Sequence, residues 1–222
     1  MNLYIDIETI PDQSKDARSV IEQSISHPAN MSKPETIEKW RQEQLPALVE
    51  EQYRKTGLDG TVGEIICIGY AFDDEPAECI GRHVGGSEEV LLREFVKVIS
   101  DRKFAKQGQP EQITWIGHNI AGFDLRYIWQ RCVVNGVKIF IPYDAKPWSS
   151  NVFDTLYHWT GINKAGGSLD RICKAMGLEG KGDIDGSQVW PLVQAGEYDK
   201  VFEYCKSDVE KTRQLHKRMT FK

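Results

Sequence analysis

The chain has 222 residues, 40% of them hydrophobic, and a net charge of −5, so it can build the core of one ordinary domain. No run approaches the roughly 20 apolar residues of a membrane span, and no basic-then-apolar leader opens the sequence, so we expect a cytoplasmic protein without a membrane partner. The mild acidity argues against a passive nucleic-acid coat protein.

The cysteines are odd in number, widely spaced and without a Cys-x-x-Cys pair. This spacing argues against a disulfide framework and against a structural zinc site. We therefore expect buried free thiols at the five positions, which are Cys67, Cys79, Cys132, Cys173 and Cys205.

Hydrophobic periodicity predicts strands early in the chain and helices later. Residues 3–7 alternate like a strand, and residues 64–72 form a continuous apolar run of strand length. The later elements are a strand over 77–84, a helix capped by Ser87, a strand over 113–117, and helices over 121–135, from Ser168 to Gly177 and over 198–219. The order predicts an α/β fold with a mixed central sheet flanked by helices.

One segment interrupts this order. Residues 12–60 lie between the first two strands and are rich in Gln, Glu, Lys and Ser, with helix-compatible stretches at 17–26 and 34–55. A structureless loop of that length is unusual in a compact domain, so we interpret the segment as a helical insertion. The domain prediction is one unit over residues 1–222 that contains this insertion.

Three short motifs hold the acidic residues of interest. Asp6 and Glu8 stand two apart on the first strand and point to one face, while Ile5 and Ile7 point into the core. Thr9-Ile10-Pro11 is expected to end this strand. Taken alone, an acidic and apolar alternation is typical of any half-exposed strand.

The second motif, Gly117-His-Asn-Ile-Ala-Gly-Phe-Asp124, joins a strand to a helix. Asp124 fits either a functional carboxylate or an ordinary helix N-terminal charge, and Asn119 fits a simple turn residue. In the third motif, Tyr204 and Asp208 stand four apart on one helix face, a pattern that is also frequent by chance.

The three motifs together indicate a function more specifically than any one of them does alone. Their order resembles the DEDD family of 3′-5′ exonucleases, in the tyrosine branch, and most closely the proofreading domain of family-B DNA polymerases. Phe153-Asp-Thr155 and Ser168-Leu-Asp170 resemble further landmarks of that family. Glu203 stands where the histidine branch has its His, and Tyr204 occupies the position of the tyrosine branch.

The resemblance implies a ribonuclease-H-like fold and hydrolysis of phosphodiester bonds from the 3′ end of DNA, with nucleoside 5′-monophosphates as products. It implies two Mg²⁺ or Mn²⁺ ions, since both prefer oxygen ligands. By the same resemblance the metal ligands are Asp6, Glu8, Asp124 and Asp208, with Tyr204 orienting the attacking water. Asn119, Phe123, Ile7 and Thr9 are implied as substrate contacts.

Several residues receive a structural interpretation first. Asp154 is expected to cap a helix, although it could serve as an outer carboxylate, and His118 is expected to be a hydrogen-bonded structural residue. Packing is favoured over base stacking for Trp148 and Trp159. Solvation is favoured over phosphate contact for the lysines of the later loops, which are Lys138, Lys146, Lys164 and Lys181.

Three alternatives stay open. An exonuclease of the same class could act on RNA, because no residue clearly reads a 2′-hydroxyl. A catalytically silent nucleic-acid-binding module could keep the fold, although the complete acidic set argues against it. An integrase or ribonuclease H would cut internally. The sequence does not assign a partner to the insertion at residues 12–60.

Overall fold

The central sheet of the computed structural model has five strands. They are β1 (Asn2–Ile10), β2 (Glu64–Phe72), β3 (Glu78–Gly81), β4 (Thr114–Gly117) and β5 (Val152–Asp154). Their order across the sheet is β3-β2-β1-β4-β5. The sheet is mixed, because β2 and β3 are antiparallel whereas β4 runs parallel to both β1 and β5.

The structure describes residues 1–103, 111–163, 165–178 and 184–221. Within these ranges the α-helices are α1 (Ala17–Ser24), α2 (Pro34–Glu43), α3 (Leu45–Lys55), α4 (Glu88–Lys103), α5 (Asp124–Val134), α6 (Thr155–Thr160), α7 (Leu169–Ala175), α8 (Val189–Gln194) and α9 (Tyr198–Met219). None of these described helices combines the length and the apolar content that crossing a membrane requires.

The predicted mixed α/β sheet with flanking helices is confirmed. The bounds of β2 and α9 agree with the sequence prediction, whereas β3 has only four residues instead of the eight predicted. β1 continues to Ile10, so Asp6 and Glu8 lie within the strand and not at its last residue. β5 was not predicted, because three residues are too few to show an alternation.

The two faces of β1 pack against different layers. Leu3, Ile5 and Ile7 belong to the large core cluster that also contains residues of α4 and α5. Tyr4 faces the other way and is buried with Val209 of α9. Because side chains alternate along a strand, Asp6 and Glu8 project to the same face as Tyr4, which is the face that α9 covers.

Two glycines bring α9 close to the sheet. A Cβ atom on Gly69 of β2 would lie 2.8 Å from Cys205 Sγ and 3.1 Å from the Cys205 carbonyl oxygen. A Cβ atom on Gly81 of β3 would lie 2.4 Å from the ring of Phe202. The absence of side chains at these positions sets the distance between the helix that carries Asp208 and the sheet that carries Asp6.

The chain comprises two compact units, residues 1–8 with 65–222 and residues 9–64. Within the second unit, α1 and α2 both pack on α3. The guanidinium of Arg18 lies 3.5 Å from the ring centre of Tyr53 and 3.2 Å from Glu50. The buried ring of Trp40 adds a small apolar centre, so helices form where the sequence predicted a helical insertion.

Candidate active site

β1 contributes two carboxylates to one place. The carboxylate oxygens of Asp6 and Glu8 and the sulfur of Cys205 offer ligand atoms that all lie within 4.8 Å of one another. The Cys205 thiol is 3.5 Å from the backbone oxygen of Asp6 and 3.6 Å from its Oδ2. The predicted pairing of the two acids on one strand face is therefore present in the fold.

A tight turn delivers Asp124 to the neighbourhood of β1. After β4, Asn119 adopts a left-handed conformation with φ of 63°, which Asn tolerates better than most residues. Its carbonyl oxygen accepts hydrogen bonds from the amides of Gly122 and Phe123, each at 2.9 Å. Asp124 then begins α5 with only 4% of its surface exposed, close enough to β1 for its charge to act on Asp6 and Glu8.

Asp154 holds this turn in place. Its carboxylate accepts the amide of Asn119 at 3.1 Å and that of Ala121 at 3.2 Å. It also accepts the first amides of α6, from Leu156 and Tyr157, at 3.0 and 3.2 Å. The predicted helix cap is thus confirmed, and the same side chain fixes the segment that leads to Asp124.

α9 presents Tyr204 and Asp208 on one face, one helical turn apart. Burial, and then the nearby negative charge of Asp208, opposes ionisation of the Tyr204 phenol and so raises its pKa. Asp208 Oδ1 accepts a 2.7 Å hydrogen bond from the ammonium of Lys211, which also lies 3.2 Å from Asp170 of α7. Asp208 is therefore oriented by a buried cation.

The carboxylates of the three elements interact electrostatically. Burial, and then the negative charges of Glu8, Asp124 and Asp208, raises the pKa of Asp6 well above its usual value. Burial and the charges of Asp208 and Asp124 likewise raise the pKa of Glu8. Burial raises the pKa of Asp124 to about 7 although two backbone amides donate to it. Cations bound between these carboxylates would favour their ionised forms and offset this repulsion.

The closest contacts do not include all four acids. Among the described residues, the mutual 4.8 Å group contains Asp6 and Glu8, whereas Asp124 and Asp208 lie outside it and act on these two through their charge. Burial, and then the charges of Asp208 and Glu8, raises the pKa of the Tyr204 phenol. Tyr204 therefore stays protonated and can donate a hydrogen bond at neutral pH.

The predicted substrate contacts differ in their surroundings. Asn119 and Phe123 are half-buried in the turn before Asp124, and the Phe123 ring packs 5.1 Å from that of Tyr127. The side chain of Ile7 is 5% exposed and belongs to the core. Thr9 follows Glu8 at the start of the second unit. The substrate roles of these four residues stay predictions.

Other sequence interpretations have mixed outcomes. The structural role of His118 is confirmed, because its ring nitrogens lie 3.0 Å from Thr155 Oγ1 and 2.6 Å from the Gly167 oxygen. Trp148 and Trp159, for which core or rim packing was predicted, are 63% and 48% exposed, so neither lies in the core, and the Trp148 ring lies 5.5 Å from that of Tyr157. Two of the loop lysines, Lys138 and Lys146, are exposed, and the other two, Lys164 and Lys181, lie outside the described residues.

Sequence reasoning missed two residues that touch the acidic cluster. Lys211 is buried although lysines rarely are, and its spacing of three from Asp208 was the available signal. Cys205 touches Asp6, but it was treated only as a buried thiol. Both residues lie on the same helix face as Asp208, so their contacts with the acidic cluster depend on where α9 packs.

The sheet order and the flanking helices define a ribonuclease-H-like α/β fold. A family model described as "Predicted 3'-5' exonuclease related to the exonuclease domain of PolB" matches residues 79–221, and the chain belongs to this family. The matched range includes Asp124, Tyr204 and Asp208 and begins after Asp6 and Glu8.

A solved structure gives the same fold. The chain is similar to the family B DNA polymerase from the hyperthermophilic archaeon Pyrobaculum calidifontis, with a TM-score of 0.59 and 15% sequence identity. The alignment covers 99% of this chain and 24% of the polymerase, so the chain spans about a quarter of that protein. A comparison with curated proteins finds no significant match.

Proposed function

We propose that this chain is a two-metal-ion 3′-5′ exonuclease that removes nucleotides from the 3′ end of DNA and releases nucleoside 5′-monophosphates. Single-stranded or frayed ends are the preferred substrates, because the terminal bases have to separate before the last phosphodiester can reach the acids. One observation carries the proposal: the fold brings carboxylate oxygens of Asp6 and Glu8 within 4.8 Å of one another, where burial, and then the charges of Glu8, Asp124 and Asp208, raises the pKa of Asp6.

The donor set fits hard divalent cations. Asp6, Glu8, Asp124 and Asp208 offer carboxylate oxygens, the ligands that Mg²⁺ and Mn²⁺ prefer. Their ionisation is opposed by burial and by one another in the protein alone, so a cation stabilises a cluster that otherwise costs free energy. By the resemblance to the exonuclease family, Asp6 would serve both ions, Glu8 and Asp208 would complete the site of one, and Asp124 would hold the other.

Bound ions would supply an activated water and charge stabilisation for the leaving 3′-oxygen. The protein's own residues position the reactants. Tyr204, which keeps its proton, orients the attacking water by hydrogen bonding and does not act as a base. Lys211, itself paired with Asp170, holds Asp208 through its ammonium. Asn119, Phe123, Ile7 and Thr9 are the proposed contacts of the terminal nucleotide.

The test is digestion of 5′-labelled oligonucleotides with Mg²⁺, Mn²⁺ or a chelator. The proposal expects a ladder that shortens from the 3′ end of single-stranded DNA, no product with chelator, and no cutting of circular or 3′-blocked strands. Faster degradation of RNA would overturn the assignment of DNA as substrate. Cutting of the circle would overturn the exonuclease assignment, and inactivity with every substrate would favour a silent binding module.

A further inference from the structure

Three cysteines from separate elements meet beside the acidic cluster. Cys67 belongs to β2, Cys79 to β3 and Cys205 to α9. Their sulfur atoms all lie within 4.8 Å of one another. Cys67 and Cys205 are fully buried, whereas Cys79 is partly exposed. Two paired strands and a helix thus hold the thiol cluster, and its partly exposed member is Cys79.

We propose that Cys67, Cys79 and Cys205 form a binding site for one thiophilic divalent ion, with Zn²⁺ as the natural occupant and a water molecule as fourth ligand. Three protein ligands and one open position are an established coordination pattern for this ion. With Zn–S bonds of about 2.3 Å and tetrahedral angles, neighbouring sulfurs stand about 3.8 Å apart. The sulfurs of the three cysteines lie within 4.8 Å of one another, which is about 1 Å from that spacing at most.

The surroundings of the cluster favour thiolate ligands. The neighbouring sulfurs of Cys205 and Cys67, and then the nearby positive charge of Lys206, act to lower the pKa of Cys79. A lower pKa favours the thiolate, which is the form that binds metal. Gly69 leaves the space that the Cys205 sulfur occupies, since a Cβ atom there would lie 2.8 Å away.

The proposed site differs in chemistry from the neighbouring carboxylates. Thiolates select Zn²⁺ over Mg²⁺ and Mn²⁺, whereas the carboxylates of Asp6 and Glu8 prefer the two harder ions. Cys205 is 3.6 Å from Asp6 Oδ2, so the two groups adjoin without sharing a preferred ion. Metal binding by the cysteines does not require the protein to be a nuclease.

The test uses the full chain, reduced and freed of metal, and titrates it with Cd²⁺ in excess Mg²⁺. Thiolate ligation gives an ultraviolet sulfur-to-cadmium charge-transfer band. We expect one equivalent to produce this band in the wild-type protein and Zn²⁺ to abolish it by competition. Cys79→Ser should bind Cd²⁺ at least about tenfold more weakly. Loss of a residue that only supports a metal ligand already weakens binding by about that factor, and loss of the ligand itself weakens it more.

Matched variants separate the site from other thiols and from the acids. Cys173→Ser removes a buried cysteine outside the cluster and should keep the band. Asp6→Asn should also keep it. The proposal is overturned if the wild-type protein gives no band, if Cys79→Ser binds as the wild type does, or if Asp6→Asn loses the band. Circular dichroism establishes that each variant is folded, and Cys67→Ser replaces Cys79→Ser if the latter is not.

Discussion

The ammonium of Lys211 lies 2.7 Å from Asp208 Oδ1, and the lysine side chain is only 7% exposed. The same ammonium contacts Asp170 at 3.2 Å, so one buried cation joins two carboxylates from α9 and α7. Burial opposes the charge of Lys211, but the hydrogen bonds and charges of Asp208 and Asp170 raise its pKa above the usual value. Lys211 therefore fixes the orientation of the Asp208 carboxylate.

Lys211→Met tests whether this orientation serves catalysis. The methionine fills similar volume but leaves Asp208 without its donor, so we expect the maximal nuclease rate to fall about 10- to 100-fold, as for other residues that support a metal ligand. We also expect the Mn²⁺ concentration for half-maximal rate to change, which a purely structural defect would not cause. Steady-state kinetics over a Mn²⁺ series measures both.

Lys217→Met is the matched control, because Lys217 lies on the same helix and pairs with the exposed Asp74 at the surface. Its rate and Mn²⁺ dependence should equal those of the wild type. If Lys211→Met behaves like this control, Lys211 does not position Asp208.

The acidic cluster predicts an unusual dependence of stability on pH in the absence of metal. The folded-state pKa of Asp124 is raised from 3.8 to about 7, so the folded protein binds more protons than the unfolded chain between these values. The free energy of unfolding therefore falls as the pH rises through this window, by on the order of 1 kcal/mol for each unit of pKa shift. Asp6 and Glu8 act in the same direction.

Urea unfolding at about pH 5.5 and about pH 8 with chelator measures this loss. Asp124→Asn should reduce the difference between the two pH values, and Mn²⁺ should raise stability mainly at the higher pH. Equal stability of metal-free wild-type protein at both values would show that the carboxylates do not oppose one another's ionisation.

A buried ion pair connects α4 and α5 away from the acidic cluster. Glu88 Oε2 and Arg131 Nη2 are 2.7 Å apart, with both side chains at most 6% exposed. Glu88 Oε1 also accepts the Ile65 amide at 2.7 Å. We expect Glu88→Ala to cost about 3–5 kcal/mol of unfolding free energy, because it removes the carboxylate that pairs with the buried guanidinium of Arg131.

Glu89→Ala is the control, since Glu89 pairs with Arg93 on the exposed side of the same helix. Its cost should be at most about 0.5 kcal/mol in the same urea experiment. A similar cost for the two variants would contradict the importance of the buried pair.

Gly69→Ala tests the packing of α9 on the sheet. The new Cβ atom would meet Val209 Cγ2 at 3.0 Å and the backbone oxygen of Cys205 at 3.1 Å, so the helix has to shift. We expect a loss of about 1–3 kcal/mol in stability and a rate reduced by about tenfold or more, because small displacements of catalytic groups are costly.

Gly186→Ala is the control for that substitution, because nothing lies within 4 Å of a Cβ atom at Gly186 and its φ is not positive. Thermal unfolding and the nuclease rate should stay unchanged in this variant. A Gly69→Ala protein with wild-type stability and rate would show that the helix does not depend on this close approach.

Long, strongly patterned elements were predictable from the sequence. The apolar run of β2 and the 22-residue amphipathic α9 gave the observed bounds, because each carries many residues that repeat one period. β5 was missed because its three residues show no period. For Trp148 and Trp159 the sequence left core and rim packing open, since composition favours burial of an aromatic ring but does not locate it, and both are exposed.

The acidic motifs could be identified from their order, but their surroundings could not. Lys211 becomes a partner of Asp208 only because α7 brings Asp170 to its other side. The thiol cluster joins Cys67, Cys79 and Cys205, whose spacing gives no metal-binding signature. The predicted free thiols are confirmed at all five cysteines, and all but the half-buried Cys79 are buried as predicted. Their spacing could not show that three of them meet, because contacts between distant segments are set by the packing of α9 and not by local sequence.

The rate of mononucleotide release from 3′-labelled single-stranded DNA in Mn²⁺ tests the central claim most directly, when wild-type protein, Asp6→Asn and Asp144→Asn are compared. Burial, and then the charges of the other three carboxylates, raises the pKa of Asp6, whereas Asp144 is an exposed residue of a later turn. The account predicts a loss of at least about 100-fold for Asp6→Asn, since several kcal/mol of charge stabilisation disappear, and no loss for Asp144→Asn. An Asp6→Asn protein within about twofold of the wild-type rate would contradict it.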